Sequence, residues 1–210
     1  GTINKPFETV TRAQNFITSA SSSNIFTIQG GEGTFTESAI ALKPWIYLKG
    51  VSQEATHFNI PFTISSAALA SGVNNVATIA FNSLTLDAAL SWDFTGSTGP
   101  VSPNIHYYDT TFGNNFTIAN STASFVTRNR FWRCRGLGNF TSNGECTNLF
   151  YFSNWNGNIS ANNLTNSGAL TQLIQGSAGS ISVSNFGRIL IFYLIFILVN
   201  SCRVIIYKSI

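Results

Sequence analysis

The sequence contains few charged residues. Asp, Glu, Lys and Arg make up 9% of its 210 residues, against about 25% in typical globular domains. The polar surface must therefore be built mainly from Ser, Thr, Asn and Gly. This composition is typical of β-solenoids and favours an extracellular, cell-surface or virion location. The net charge of +3 is too small to favour nucleic acid as a partner.

Cysteine and histidine are also scarce. There are three cysteines and two histidines, His57 and His106, with no Cys-x-x-Cys motif, so neither a metal site nor a cofactor is expected. Cys134 and Cys146 flank a loop rich in Gly and Asn. Two interpretations remain open for them: a disulfide that pins this loop in an oxidising compartment, or two unpaired thiols.

Residues 26–51 have the clearest pattern in the chain. Their apolar and polar residues alternate with a period of two, which predicts β-strands with one buried side. Glycines punctuate these strands and permit turns. One predicted face contains Ile40, Leu42, Ile46 and Leu48, and the other contains Ala41, Trp45, Tyr47 and Lys49.

Apolar strand centres then recur about every twenty to twenty-five residues without a strict sequence repeat. This spacing predicts the stacked coils of a parallel β-solenoid, an all-β fold. The eighteen phenylalanines are expected to stack on successive coils and fill a narrow core. The predicted centres are Ile28, Leu48, Ile64, Leu86, Ile105, Phe125, Phe150 and Ile174.

The N-terminal region resembles a known superfamily. Val10, Ala13, Phe16 and Ile17 have helical spacing, and a polar turn, a strand and a Gly-rich turn follow. The order, with Gly33-Thr34-Phe35-Thr36-Glu37 and then Leu48-Lys49-Gly50, resembles the opening of pectin-lyase-like right-handed β-helices, in particular pectin methylesterases. The resemblance implies a helix that caps the β-helix. It disfavours the alternative fold, a jelly-roll-type β-sandwich. The catalytic motifs of those esterases are not recognisable here.

The last 23 residues differ in composition from the rest. Residues 189–199 are eleven consecutive apolar residues. Three interpretations remain open: strands buried against the solenoid or a neighbouring subunit, a membrane anchor over 189–207, and an altered tail. The β-branched and aromatic content and the continuous run favour buried strands. The chain is thus divided into an N-terminal cap (1–23), a β-helix (24–187) and a hydrophobic C-terminal segment (188–210).

Two groups of residues are candidates for a catalytic or binding site. Asp87 and Asp109 are 22 positions apart, about one coil, and stacked carboxylates can act as a general acid and base. The simpler alternative to a catalytic pair is that each Asp lies in a turn.

The second group contains four arginines within eight positions, around a tryptophan. Because either strand register would point an arginine inward, a bulge or protruding loop is expected there. Arginines beside an aromatic can hold anionic sugars or phosphates, although a solvated loop edge is the simpler interpretation. Exposed aromatics could stack on sugar rings or form subunit contacts. The arginine cluster is Arg128, Arg130, Trp132, Arg133 and Arg135, and the aromatics are Trp45, Tyr47, Tyr108 and Trp155.

These observations favour a structural or adhesive surface protein, such as a fibre, a spike or a virion component, over an enzyme. A surface glycan is its candidate ligand. The resemblance implies a homo-oligomer. Since solenoids of this kind often form trimeric spikes, a trimer is the first expectation. The alternative is an esterase or hydrolase that acts on a polysaccharide.

Overall fold

The computed structural model describes residues 6–64, 77–94, 103–119, 127–144, 146–162, 170–174, 176–184 and 203–207. These residues form one helix, α1 (Val10–Phe16), and eighteen strands. The strands are β1 (Phe26–Gln29), β2 (Gly33–Thr36), β3 (Ile40–Ala41), β4 (Ile46–Lys49), β5 (Thr56–Asn59), β6 (Phe62–Thr63), β7 (Ile79–Leu86), β8 (Leu90–Asp93), β9 (Asn104–Phe112), β10 (Phe116–Ala119), β11 (Thr127–Trp132), β12 (Arg135–Gly136), β13 (Phe140–Asn143), β14 (Cys146–Tyr151), β15 (Asn154–Asn162), β16 (Leu170–Ile174), β17 (Ser177–Ser184) and β18 (Arg203–Tyr207).

Sixteen of these strands form one sheet that curls into a half-barrel, and β3 and β6 form a second sheet. Every pairing between the named strands is parallel. The prediction of an all-β fold is therefore confirmed. The parallel pairing does not fit the jelly-roll alternative, whose strands are antiparallel.

Strands that pair in register define three columns. The first column contains β1, β4, the starts of β7 and β9, then β11, β14 and β16. The second contains β2, β5, the ends of β7 and β9, then β12 and the starts of β15 and β17. The third contains β8, β10, β13, the ends of β15 and β17, and β18, and the separate sheet of β3 and β6 lies next to β8. Long strands such as β7 and β15 thus belong to two columns.

The core consists of side chains that stack in register within a column. In the first column the rings of Tyr107 and Phe131 are 4.6 Å apart and 3° from parallel, and those of Phe131 and Phe150 are 4.4 Å apart and 5° from parallel. The strand spacing of about 4.8 Å suits attraction between offset rings. The prediction that phenylalanines fill the core is confirmed for most of the described ones, with Phe16 and Phe152 as exposed exceptions.

A sharp corner joins the first column to the second. The residues at this corner have left-handed backbone conformations: Ser83 (φ 54°), Asp109 (46°), Arg133 (52°) and Phe152 (52°). Such φ values are uncommon outside glycine. Gly50 lies at the same corner, where an added Cβ would be 2.3 Å from the carbonyl oxygen of Ser83. Five strands of the first column, β4, β7, β9, β11 and β14, thus each contribute one corner residue, within or directly after the strand.

The predicted N-terminal helix is present, and a residue of the turn motif caps it. Thr9 accepts a hydrogen bond from the first turn of α1. The carboxylate of Glu37 accepts hydrogen bonds from the backbone N–H groups of Val10, at 2.6 Å, and Thr11, at 3.2 Å. Gln14 is buried and bonds to two backbone groups beside β3. The motif residue Glu37 thus has a structural role.

Three aromatic residues lie elsewhere than expected. Trp45 and Trp155 were assigned to exposed positions, but they are 5% and 2% exposed. Trp45 departs from the alternation of buried and exposed side chains because its backbone has a left-handed φ of 65°. Trp155 lies over Gly136, its partner in register. Phe16 was assigned to the buried stripe of α1. It is 73% exposed and packs against Phe7 with ring centroids 5.4 Å apart.

Candidate functional site

The arginine cluster lies on β11, the corner and β12. Arg128, Arg130 and Trp132 alternate with buried residues and point to the outer face of the first column. The chain turns at Arg133, and Arg135 is exposed on β12. The expectation of a bulge or protruding loop is wrong. The corner at Arg133 shifts the alternation by one residue, so two regular strands can both present arginines outward.

Arg133 forms an ion pair with Asp109, which occupies the same corner on β9. Its Nε and Nη2 donate to the two carboxylate oxygens, each at 2.7 Å. This hydrogen bonding to Arg133 lowers the pKa of Asp109 below its ordinary value, while partial burial opposes the shift. The two side chains therefore partly neutralise each other, and Arg133 is engaged within the chain.

The structure does not bring Asp87 and Asp109 together. Asp87 lies beside Gly113 and its Oδ2 is 3.0 Å from Nδ1 of His57. Asp109 lies four residues before Gly113 and binds Arg133. The chain from Asp109 to Gly113 places the backbones of the two aspartates about 10 Å or more apart, and the two carboxylates bind different side chains. Each aspartate has a structural partner of its own.

A row of aromatic side chains crosses the outer face of the first column. Tyr108, Trp132 and Tyr151 are in register on β9, β11 and β14; we call them the aromatic row. All three are partly exposed, and the rings of Trp132 and Tyr151 are 4.7 Å apart. Phe152, at the corner, is 48% exposed and extends the row, with its ring 5.8 Å from that of Trp132.

A cleft of about 330 Å³ opens next to the aromatic row on the same face. Ala80 lies at its centre, in register between Tyr47 on β4 and His106 on β9. Because Ala80 has only a methyl group, a gap separates the two larger side chains. We call this space the Ala80 cleft. Its lining includes Tyr47, Lys49, Ala80, Asn82, His106 and Tyr108.

His106 is the most unusual polar group in the cleft. It is 5% exposed; its Nδ1 is 2.9 Å from Oη of Tyr108, and its Nε2 has no hydrogen-bond partner among the described residues. Burial, with a contribution from Arg130, lowers the pKa of His106 to about 4, so the ring is neutral at pH 7. An unpaired buried polar atom costs about 1–3 kcal/mol, so His106 is held in this position at some cost in stability.

The opposite wall of the cleft is held in place by a hydrogen bond. Oη of Tyr47 donates to the carbonyl oxygen of Ala77 at 2.8 Å. Burial, and then the proximity of Tyr108, raise the pKa of Tyr47, so its hydroxyl stays protonated as a donor. Both walls of the cleft are thus oriented before a ligand arrives.

Sequence reasoning did not select His106 or Ala80. A lone histidine in an alternating strand and a single alanine have no distinctive pattern. Their relation becomes visible only when the register of β7 and β9 places them side by side.

Cys134 and Cys146 are both buried, and they do not form the disulfide that is one of the two interpretations left open by the sequence. Cys146 is in register with Thr127 at the start of β11, whereas Cys134 follows the end of that strand. The length of β11, about 16 Å, separates them, and a disulfide needs Cα atoms within about 7 Å. Burial raises the pKa of Cys134 to about 12, so this thiol is not a reactive nucleophile.

Two absences concern only the residues that the structure describes. Within them, no cluster of three His, Cys, Asp or Glu side chains is placed to hold a metal ion. No helix in that part of the chain has the length and apolar character needed to cross a membrane. The apolar run 189–199 lies outside the described residues, while Arg203–Tyr207, the end of the interval considered for an anchor, forms strand β18 against β17.

No protein-family model, curated protein or solved structure matches the chain. The candidate site therefore rests on the geometry of this chain alone.

Proposed function

We propose that the chain is a right-handed parallel β-helix of the pectin-lyase-like type. We further propose that it is a structural or adhesive surface protein that binds a glycan with the outer face of its first column. Its location would be extracellular, on a cell surface or on a virion, as part of a fibre or spike.

The pairing of the strands supports the solenoid. Partners in register in the first column, from Ile28 to Leu48 and from Tyr107 to Phe131 and Phe150, are 20, 24 and 19 residues apart. Parallel strands joined by such connections are right-handed in nearly all proteins, and stacked units with contacts mainly to their neighbours define solenoids. The Glu37 cap on α1 agrees with the resemblance at the N-terminus.

The aromatic row is the observation that supports glycan binding most directly. Sugar rings present apolar C–H faces and polar edges, and aromatic side chains offer a flat apolar surface for the former. Arg128 is exposed on the same face and can donate hydrogen bonds to hydroxyl, carboxylate or sulfate groups. The row Tyr108–Trp132–Tyr151 spans about 10 Å, the length of about two sugar units.

A homo-oligomer, with a trimer as the first expectation, is part of the proposal. Scattered apolar side chains such as Val51 and Leu137, 54% and 44% exposed, are available for contacts between subunits. The enzymatic alternative relies on Asp87 and Asp109, and no feature of the described residues favours it.

A glycan array probed with the full-length chain tests the proposal. We expect binding to a defined subset of glycans, and at least tenfold weaker binding by Trp132→Ala, because the central ring of the aromatic row is removed. Phe16→Ala is the matched control, since it deletes an exposed aromatic on α1. Light scattering of the same samples gives the oligomeric state.

Two results would contradict the proposal. A chain that binds no glycan on the array is not a glycan-binding protein of this kind. Equal binding by the wild type and Trp132→Ala would remove the outer face of the first column as the binding surface. A strict monomer would contradict the oligomeric part alone.

A further inference from the structure

We propose that Asn115, Asn139 and Asn158 are acceptor sites for N-linked glycans, oligosaccharides attached covalently to the side-chain amide. We call these three residues the asparagine row. They lie where the chain enters the third column, directly before β10, directly before β13 and within β15. The inference rests on the proposed extracellular location, and it concerns a different surface from the outer face of the first column.

Each residue of the asparagine row begins an Asn-x-Ser/Thr motif, the acceptor sequence for N-glycosylation. The three motifs end at Thr117, Thr141 and Ser160. These hydroxyl residues are in register on β10, β13 and β15, and each asparagine stands two positions earlier. The fold therefore places three motifs, which are far apart in the sequence, side by side on neighbouring strands.

Hydrogen bonds along the row fix the orientation of the amides. Oδ1 of Asn115 accepts from the backbone N–H of Asn139 at 2.8 Å, and Oδ1 of Asn139 accepts from the backbone N–H of Asn158 at 2.9 Å. Oδ1 of Asn158 accepts from the hydroxyl of Ser180 at 2.7 Å. A backbone N–H donates to the amide oxygen and not to the NH₂ group. Since the three residues are exposed and the two amide atoms diverge from one carbon, Nδ2 is directed away from the next strand.

Two glycines directly before asparagines of the row bring neighbouring turns of the chain into contact. An added Cβ at Gly138 would be 2.5 Å from the carbonyl carbon of Asn114, and one at Gly157 would be 2.3 Å from the carbonyl oxygen of Gly138. No side chain fits between these turns. A group attached to the asparagine row therefore extends towards solvent.

The modification uses Nδ2 alone. Nδ2 forms a bond to C1 of an oligosaccharide, and the bond between C1 and the diphosphate of a lipid carrier breaks. The diphosphate leaves with the electron pair, and Nδ2 releases one proton. The lipid-linked oligosaccharide is the co-reactant, and a membrane-bound transferase is the catalyst. The product keeps Oδ1 as an acceptor, so the glycans and the hydrogen bonds of the row are compatible.

The experiment is secretion of the full-length chain from eukaryotic cells, with mass spectrometry before and after enzymatic removal of N-glycans. We expect at least one glycan on the asparagine row, located by the Asn-to-Asp change that the removal leaves. Asn120 and Asn163 also begin such motifs and are mapped in the same spectra. A secreted chain without a glycan on the row would overturn the inference, whatever is found at Asn120 and Asn163.

Substitutions of the hydroxyl residues separate the modification from the hydrogen bonds. Thr117→Ala, Thr141→Ala and Ser160→Ala each remove one motif but keep the asparagine. Each should abolish any glycan at the asparagine two positions earlier and leave the others. Ser91→Ala is the matched control, because Ser91 is in register with Thr117 on β8 but belongs to no such motif. Glycan masses that are unchanged in all three variants would contradict the assignment.

Amide hydrogen exchange tests whether the row persists under the glycans. The backbone N–H groups of Asn139 and Asn158 should exchange equally slowly in the glycosylated chain and in unmodified chain from bacteria. Faster exchange at both groups in the glycosylated chain would show that the modification breaks the row, and would overturn the compatibility on which the inference depends.

The outcomes separate this inference from the proposed function. A chain that carries glycans on the row but binds no glycan on the array keeps this inference and loses the adhesive function. A chain that binds glycans through Trp132 but carries none on the row keeps the adhesive function and loses this inference.

Discussion

The indole of Trp155 occupies the space in which a side chain at Gly136 would lie. The two residues are in register on β15 and β12, and a Cβ at Gly136 would be 2.1 Å from the indole of Trp155. We therefore predict that Gly136→Ala destabilises the fold by about 1–3 kcal/mol, the usual cost of overpacking a core. Urea unfolding monitored by circular dichroism measures the change.

Gly31→Ala is the control for this prediction. A Cβ at Gly31 would meet no atom within 4 Å. The free energy of unfolding of the Gly31→Ala variant should therefore stay within about 0.5 kcal/mol of the wild type. Equal stability of Gly136→Ala and Gly31→Ala would show that the indole of Trp155 does not lie over Gly136.

Glu37→Ala should loosen the N-terminal helix. The substitution removes the acceptor for the N–H groups of Val10 and Thr11, and loss of a helix cap costs about 1 kcal/mol. We expect faster amide hydrogen exchange at Val10 and Thr11, measured by NMR. Glu32→Ala, at an exposed position, should leave both rates unchanged; similar rates in the two variants would refute the cap.

The Asp109–Arg133 pair should make stability sensitive to acid. The pKa of Asp109 is lowered in the folded state, so its contribution is present above the ordinary pKa of an aspartate, about 4, and is lost as pH falls through the folded value. As the pH is lowered from about 6 to about 2, the melting temperature should fall less steeply for Asp109→Asn than for the wild type. The effect should shrink in high salt, since Arg133 is exposed.

An NMR titration provides the complementary measurement for this pair. Arg133→Gln should raise the pKa of Asp109 towards its ordinary value. An Asp109 pKa that is the same in the wild type and in Arg133→Gln would contradict the ion pair.

The thiols should be free and protected. Under denaturing, non-reducing conditions we expect three reactive thiols, which equals the number of cysteines in the chain. In the native protein Cys134 should not react at pH 8, because burial raises its pKa to about 12. A count of one thiol in the denatured chain would indicate a disulfide and would contradict the position of Cys146 at the start of β14, beside Thr127 and a strand length away from Cys134.

The alternating strands could be predicted because burial on one face imposes a period of two. Ile40, Leu42, Ile46 and Leu48 are predicted to share one face, and all are at most 5% exposed. The corner could not be predicted in the same way. Aspartate adopts a left-handed φ more readily than most residues, but Ser83, Arg133 and Phe152 share this conformation at the corner and their residue types do not signal it.

The binding face could be predicted only in part. The arginine cluster indicated a polar surface around Trp132, but its neighbours in space, Tyr108 and His106, are more than twenty residues away in the chain. The burial of Trp155 was missed for the same reason. Its flanking asparagines suggest exposure, whereas Gly136 on the adjacent strand leaves room for the indole.

Quenching of tryptophan fluorescence by acrylamide tests the central claim, glycan binding on the outer face of the first column, most directly. Trp45, Trp92 and Trp155 are at most 5% exposed, so the quenching reports mainly on Trp132, which is partly exposed. We predict that a saturating glycan from the array lowers the quenching constant severalfold, and that Trp132→Phe loses this glycan-dependent change. A quenching constant that stays the same while the glycan is bound would contradict the claim.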